Sequence, residues 1–256
     1  MRRLCVAAFV LTVGLAAPVA ADDQNPRLPP PNPRPAPDFL FGAPKGSFGL
    51  RGSFLIARAA SDWYDFVTDQ LTLESGDFNA PAIALDVGAA VTSRIEVVGG
   101  IEFSRSETLS EYRRFVDNDR LPIEQTTRLR QLDIRGSIKV PLLSRGRAVS
   151  QLAWVPRTVV PYAGAGAGMQ WYEIQQIGDF VDYVDLSVFP DVFRSSGWTP
   201  SAHVFSGVDV RVFRRLYATV DVRYLWAAGE LGLEWVNFDP IDLAGTRVSA
   251  GINVVF

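Results

Sequence analysis

The chain has one cysteine, one histidine and no long apolar run, and each shortage narrows its chemistry. Cys5 sits inside an apolar N-terminal stretch and reads as a small packing residue of that stretch. The mature chain is therefore expected to carry no disulfide and no thiol-based metal site. His203 is the only imidazole, so any histidine base chemistry rests on that one residue. The longest apolar run, Leu4 to Ala17, falls short of the about 20 residues a membrane helix needs, so no helical span is expected. A net positive charge is also lacking. The formal charge of −3 becomes more negative once Arg2 and Arg3 are removed, which argues against nucleic acid as a partner.

What is present begins with an export signal. Arg2 and Arg3 precede the apolar run, and Val19, Ala20 and Ala21 offer small residues for cleavage, so residues 1–21 read as a cleaved signal peptide. Residues 22–46 hold eight prolines, which exclude helix and central strand and predict an extended periplasmic arm. Two readings stay open for this arm: a spacer, or a contact with a periplasmic or cell-wall partner.

Residues 47–256 contain eight segments in which apolar and polar residues alternate with the period of a strand. They are Ser47–Arg58, Pro81–Thr92, Arg94–Ser106, Thr127–Val140, Val159–Tyr172, Ser201–Phe213, Leu216–Ala227 and the terminal stretch from Leu243 to Phe256. Each is long enough to cross an apolar band of about 25 Å when tilted. Long and short links alternate between them, as an up-and-down barrel requires. Pro141 to Thr158 breaks that rule, being long where a short turn is expected. The long links are acidic: residues 59–79 hold five acids and no base, and residues 229–242 hold four acids and no base. The short links carry Arg94, Arg145, Arg147, Arg157, Arg214 and Arg215.

Period alone does not separate a soluble barrel from an inside-out one. The signal peptide and the aromatics near strand ends, Trp171, Tyr224 and Trp226, favour the membrane version. The fold expected is thus an all-β, eight-stranded antiparallel up-and-down transmembrane β-barrel. Its polar faces then put Asp86, Glu96, Glu102, Asp133, Asp209 and Asp221 in the lumen with Arg51, Arg135, Lys139, Arg211, Arg223 and Arg247. Eight strands leave an interior just wide enough for side chains to fill, so an ion-paired, plugged lumen is expected. Glu96 and Glu102 should lie beside Arg135 and Lys139, Asp209 and Arg211 beside Asp221 and Arg223, and Arg247 beside Arg51. Gly164, Gly166 and Gly168 leave a bare strip of wall, either filled by Arg and Tyr side chains from the opposite side or left as a narrow water path.

The stretch Pro161-Tyr162-Ala163-Gly164-Ala165-Gly166-Ala167-Gly168 and the closing pattern Ser249, Gly251, Val254 and Phe256 resemble the small outer-membrane barrels of the opacity-protein and outer-membrane-protein-A type. The resemblance implies a cell outer-membrane location in a Gram-negative envelope. It also implies contact with outer-membrane lipid and lipopolysaccharide, and recognition of the terminal strand by the barrel-assembly machinery. Phe256 is expected to face lipid at the periplasmic rim. A peptidoglycan-binding domain of that family is not expected after the barrel, so any wall contact is expected to fall to residues 22–46.

Three function classes follow. The first is a non-enzymatic, monomeric barrel without cofactor or bound metal, displaying acidic, aromatic loops for envelope integrity, adhesion or ligand contact. Trp63, Tyr64, Tyr183 and Trp235 are its candidate contact residues, with packing of the loops on one another as the equal alternative. Asp179, Asp182 and Asp185 read as solvated charge rather than a Ca²⁺ or Mg²⁺ site, since the spacing of a calcium loop is absent. The second class is a narrow solute channel. The third is a lipid A-modifying enzyme built on His203 with Ser201 or Ser206, but the His-x-Ser spacing of the barrel deacylases is missing because residue 205 is Phe.

Overall fold

The structure, a computed structural model, describes residues 39–117, 119–150 and 153–256. The expected signal peptide and most of the proline-rich arm lie outside the described residues. The elements in chain order are β1 (Gly46–Ala57), α1 (Asp62–Gln70), β2 (Ala80–Thr92), β3 (Ile95–Val116), β4 (Pro122–Pro141), β5 (Gly146–Ser150) and β6 (Ala153–Pro156). There follow β7 (Val159–Val181), β8 (Val188–Arg211), β9 (Leu216–Trp226), β10 (Ala228–Gly229), β11 (Ile241–Asp242) and β12 (Gly245–Val255).

Eight of these strands close into a barrel in the order β1, β12, β9, β8, β7, β4, β3, β2, and each neighbouring pair is antiparallel. Closure leaves no unpaired edge within the apolar belt, which a sheet in lipid requires. The seam between β1 and β12 runs in continuous register from Ser47 opposite Val255 to Ala57 opposite Gly245.

Alternation along the strands sets an inside-out distribution. Phe48, Leu50, Phe54 and Ile56 on β1, Ile83, Leu85 and Val87 on β2, and Ile95, Val97, Ile101 and Phe103 on β3 all point outward and are exposed. Ile134 and Ile138 on β4, Val204 and Val210 on β8, Val220 and Val222 on β9, and Val248, Ile252 and Val254 on β12 continue the belt. The intervening residues, among them Asp86, Glu102, Asp133, Arg135, Asp221 and Arg247, are buried inside. No acid or base interrupts the outward-facing residues of this belt. The chain is a transmembrane β-barrel.

Four strands are much longer than their alternation predicts. β3, β4, β7 and β8 have 22, 20, 23 and 24 residues, against 11 to 13 for the other four barrel strands. Residues 107–123 and 173–199, expected as loops, are therefore largely paired strand. The physical reason is a change of surroundings. Beyond the lipid the outward positions turn polar, as at Arg130, Arg128 and Glu124, while the inward ones lose their charge and mix apolar residues, Leu129 and Ile123, with Gln125 and Thr127. The outward apolar face ends there, so a search for one continuous apolar face stops although the backbone ladder continues.

The anomalous link after β4 folds into the β5–β6 ribbon at the short-link end. Leu40 pairs with Trp154 of β6 through two backbone hydrogen bonds of 2.8 and 2.9 Å, adding a third segment to the ribbon.

Candidate functional site

The lumen is crowded with charge, and each barrel strand presents its polar face to it. Arg135 lies at its centre, 3.0 Å from Asp133, 3.2 Å from Asp86 and 3.6 Å from Glu102. Arg51 bridges Asp86 and Asp221. Arg247 forms an ion pair with Glu102 at 2.7 Å, although its N–H is not aimed at that oxygen. Lys139 donates to Asp209 at 2.7 Å and sits over the Tyr162 ring. Hydroxyls complete the carboxylates: Ser249 and Tyr162 donate to Asp221 at 2.7 and 3.1 Å, and Thr219 donates to Asp209 at 2.7 Å.

The pairing differs in detail from that expected. Arg247 stands opposite Leu55 and Arg223 in register and not beside Arg51, which faces Gly251. Glu96 is opposite Lys139 in register, yet it accepts from Ser47 at 2.7 Å and pairs with Arg145, while Lys139 reaches Asp209 on β8. Strand tilt brings residues of non-adjacent strands to one height, so partners are chosen across the lumen as well as along the ladder. Arg145 comes from the link before β5 and was not among the expected lumen residues; nothing in its local sequence points inward. Arg211 lies half-buried near the rim, where its backbone N–H donates to Thr158. Arg223 is only 3% exposed and makes no carboxylate pair among the described residues; its guanidinium stacks on Phe205 at 5.1 Å.

The bare strip of wall is filled, but from the neighbouring strand. Gly164 and Gly166 of β7 lie opposite Phe205 and His203 of β8, and a Cβ at either glycine would collide with those rings. The expected Arg and Tyr side chains are not what occupies it. The space left deeper in the lumen is a cavity of about 30 Å³ lined by Arg51, Asp86, Ser137 and Tyr162, the share of about one water molecule. A larger cavity of about 360 Å³ opens at the short-link end beneath the ribbon, between Lys45, Thr92, Arg145, Trp154 and Tyr217.

His203 is fully buried, and its Nε2 is 2.8 Å from the Ser137 hydroxyl. Sequence proximity pointed instead to Ser201 and Ser206. Ser201 is 3.3 Å from Asp133, whereas Ser206 faces outward. Pairing of β4 with β7, and of β7 with β8, brings Ser137 to the imidazole, a contact visible only in the register. Nδ1 of His203 has no hydrogen-bond partner among the described residues, so none of their carboxylates orients the ring as an acyl-transfer triad requires.

The long-link end of the barrel is closed by an apolar core. Trp63, Tyr64 and Val67 of α1 pack with Leu71, Leu73 and Phe78 against Leu129, Tyr172, Ile174 and Leu225 from the barrel wall and against Trp235, Ile241 and Leu243. The helix forms because its apolar residues share one face while Asp62 and Asp65 lie in its first turn, where the helix dipole favours acids. Asp242 ties the links together, accepting from Arg58 at 2.7 Å and from the backbone of Ala60 and Ala244. Burial holds the Tyr64 phenol above its ordinary range, and it donates to the Asp242 carbonyl at 3.0 Å.

Trp63, Tyr64 and Trp235 are therefore not exposed contact residues: they are the core of this cap. Tyr183 alone of the four remains at the surface, 53% exposed, with its hydroxyl 3.2 Å from Gln70. The side chains of Asp182 and Asp185 accept backbone N–H groups of Val184 and Ser187 within the turn. On the closing strand Ser249 points inward, Val254 outward, and Phe256 lies exposed beside Gly46, with which it exchanges backbone hydrogen bonds of 2.8 and 3.0 Å.

No family model and no curated protein matches the chain. Among solved structures it is similar to Neisserial surface protein A, at 12% identity over 82% of this chain and 97% of that one, with a TM-score of 0.47. It is also similar to the outer membrane protein OprG from Pseudomonas aeruginosa, at 12% identity over 85% and 99% with a TM-score of 0.44. A third is Ail, the attachment invasion locus protein of Yersinia pestis, at 13% identity over 82% and 99% with a TM-score of 0.40.

Proposed function

We propose that this chain is a non-enzymatic protein of the Gram-negative outer membrane, a barrel that carries a rigid, capped platform above the lipid for contact at the cell surface. The observation that supports it is the pairing of an uncharged apolar belt with a lumen filled by ion pairs and closed above by the Trp63 and Trp235 core. Such a lumen favours a plug over a conduit, and an unoriented histidine favours structure over acyl transfer. The contact surface on this reading is the outer wall of the long strands and the turn around Tyr183, not the buried aromatics. Ser249, Gly251, Val254 and Phe256 are assigned to recognition by the assembly machinery, and residues 22–46 to the periplasmic side, after removal of residues 1–21.

Heat-modifiable gel migration of the membrane-extracted protein, combined with planar-bilayer recording, tests this. A boiled sample should migrate differently from an unboiled one, and the bilayer should stay electrically silent. Steady, ion-selective conductance would transfer the function to the channel class. The enzyme alternative is tested by His203→Ala with mass spectrometry of lipid A, for which an unchanged acylation pattern is expected.

A further inference from the structure

The outer wall of β3, β4, β7 and β8 carries a charged patch that neither the lumen nor the cap uses. Register aligns the outward residues of these strands in rows. The last apolar row is Phe103, Leu132, Trp171 and Trp198, the aromatic limit expected where a lipid belt meets water. The next row outward is Arg105, Arg130, Glu173 and Ser196, and the one after it is Glu107, Arg128, Gln175 and Arg194. Four arginines thus share two carboxylates within four residues of the apolar row.

The carboxylates hold the arginines in place. Glu173, itself buried, accepts from Arg130 at 2.9 Å and also pairs with Arg194. Glu107 accepts from Arg128 at 2.8 Å and also pairs with Arg105. Arg128 gives a further bond of 2.9 Å to Gln175. A guanidinium has five donors in a rigid fork, and Arg105, Arg130 and Arg194 each give one to its glutamate, which leaves further donors on each. The four arginines of the patch outnumber Glu107, Glu173 and Glu234, the last accepting from the Arg194 backbone N–H, so the patch keeps a positive surplus on a protein that is acidic overall. Fixed forks with spare donors match the oxygens of a phosphate group.

We propose that this patch binds a phosphate-bearing lipid headgroup of the surrounding leaflet, with the acyl chains of that lipid lying against Phe103, Leu132, Trp171 and Trp198. The occupant is a bilayer lipid because the patch begins where the lipid-facing wall ends: Phe103 and Trp198 are 42% and 54% exposed directly below it. The inference rests on the outer-membrane reading above.

The test uses the full chain in phosphatidylcholine nanodiscs containing either bisphosphorylated lipid A or the same lipid with its phosphates removed, with bound lipid read by native mass spectrometry. The phosphorylated form should be retained preferentially. Arg105→Gln with Arg130→Gln should weaken that retention about tenfold or more, the scale of losing charge-assisted hydrogen bonds. Glu173→Gln should also weaken it, because Arg130 and Arg194 lose their anchor, although the patch becomes more positive. Tighter binding by Glu173→Gln would show attraction by net charge alone and overturn the built site. Equal retention of both lipids would overturn it too, as would displacement by millimolar inorganic phosphate, which would reassign the patch to a free anion. Preference for an acidic peptide over the phosphorylated lipid would reassign it to a protein partner. Heat-modifiable migration of the same samples keeps the readings apart: a barrel that shifts on boiling but ignores phosphate sinks the lipid site alone.

Discussion

The part of the barrel inside the apolar belt and the part above it are built from the same continuous strands with opposite rules. Inside the belt, β4 points Leu132, Ile134 and Ile138 outward and buries Asp133, Arg135 and Lys139. Above it, the same strand points Arg128 and Arg130 outward and buries Ile123 and Leu129. The switch falls between Arg130 and Leu132, with buried Gln131 between them, where Gln170 donates to Gln131 at 2.8 Å. The difference teaches that a strand has no intrinsic inside. Water on the outer wall lets the upper segment, an extension of β3, β4, β7 and β8 alone, carry charge outward while its inner face adds apolar residues to the cap beside Gln125 and Thr127, and lipid on the outer wall confines charge in the lower segment to the lumen.

The two halves should therefore fail differently. The largest effect is expected from Arg135→Ala, which leaves Asp86, Glu102 and Asp133 without their shared cation. Breaking a buried pair from one side costs roughly 3–5 kcal/mol, and the loss should appear as a lower midpoint for urea unfolding of the whole barrel in lipid. A midpoint unchanged by this substitution would mean the lumen network contributes little. Trp63→Ala removes a core aromatic of the cap, a change of about 3 kcal/mol or more. Hydrogen exchange should show that loss confined to α1, the Phe78 region and the Trp235 turn, with protection of β1, β2 and β12 retained. Spread of the loss into those strands would show that cap and lumen are one cooperative unit. A smaller but sharper contrast compares two outward positions on β4. Ile134→Arg in the belt should cost about 2–4 kcal/mol, whereas Thr126→Arg above it should stay within about 0.5 kcal/mol. Equal penalties, measured by refolding into lipid vesicles, would remove the boundary drawn at Leu132.

The barrel was legible because lipid and lumen impose one alternation that runs unbroken through each crossing. Val248, Ile252 and Val254 set against Arg247, Ser249 and Asn253 declare the faces of β12 without any partner in view. The candidate site was legible only as a set of residues. Which carboxylate Arg51 or Arg247 takes depends on tilt and register, and these bring Asp221 to Arg51 and Glu102 to Arg247 across intervening strands. Arg145 reaching Glu96 from an irregular link, and Ser137 reaching His203 through β7, had no sequence signal at all. The aromatics of the long links misled for a related reason. Trp63 and Trp235 look exposed when a link is read alone, and they become a core only when two links meet over the mouth.

By itself the sequence determined an eight-stranded barrel, which residues face lipid and which face the lumen within the belt, and a closing strand, because strand period and solvent preference are local properties. Tertiary structure decided how far four of the strands run past the lipid, where their outward apolar face ends, which charges pair and that the mouth is capped. Each of these depends on residues far apart in the chain sharing one environment, and pairing across a closed barrel is the physical event that puts them there.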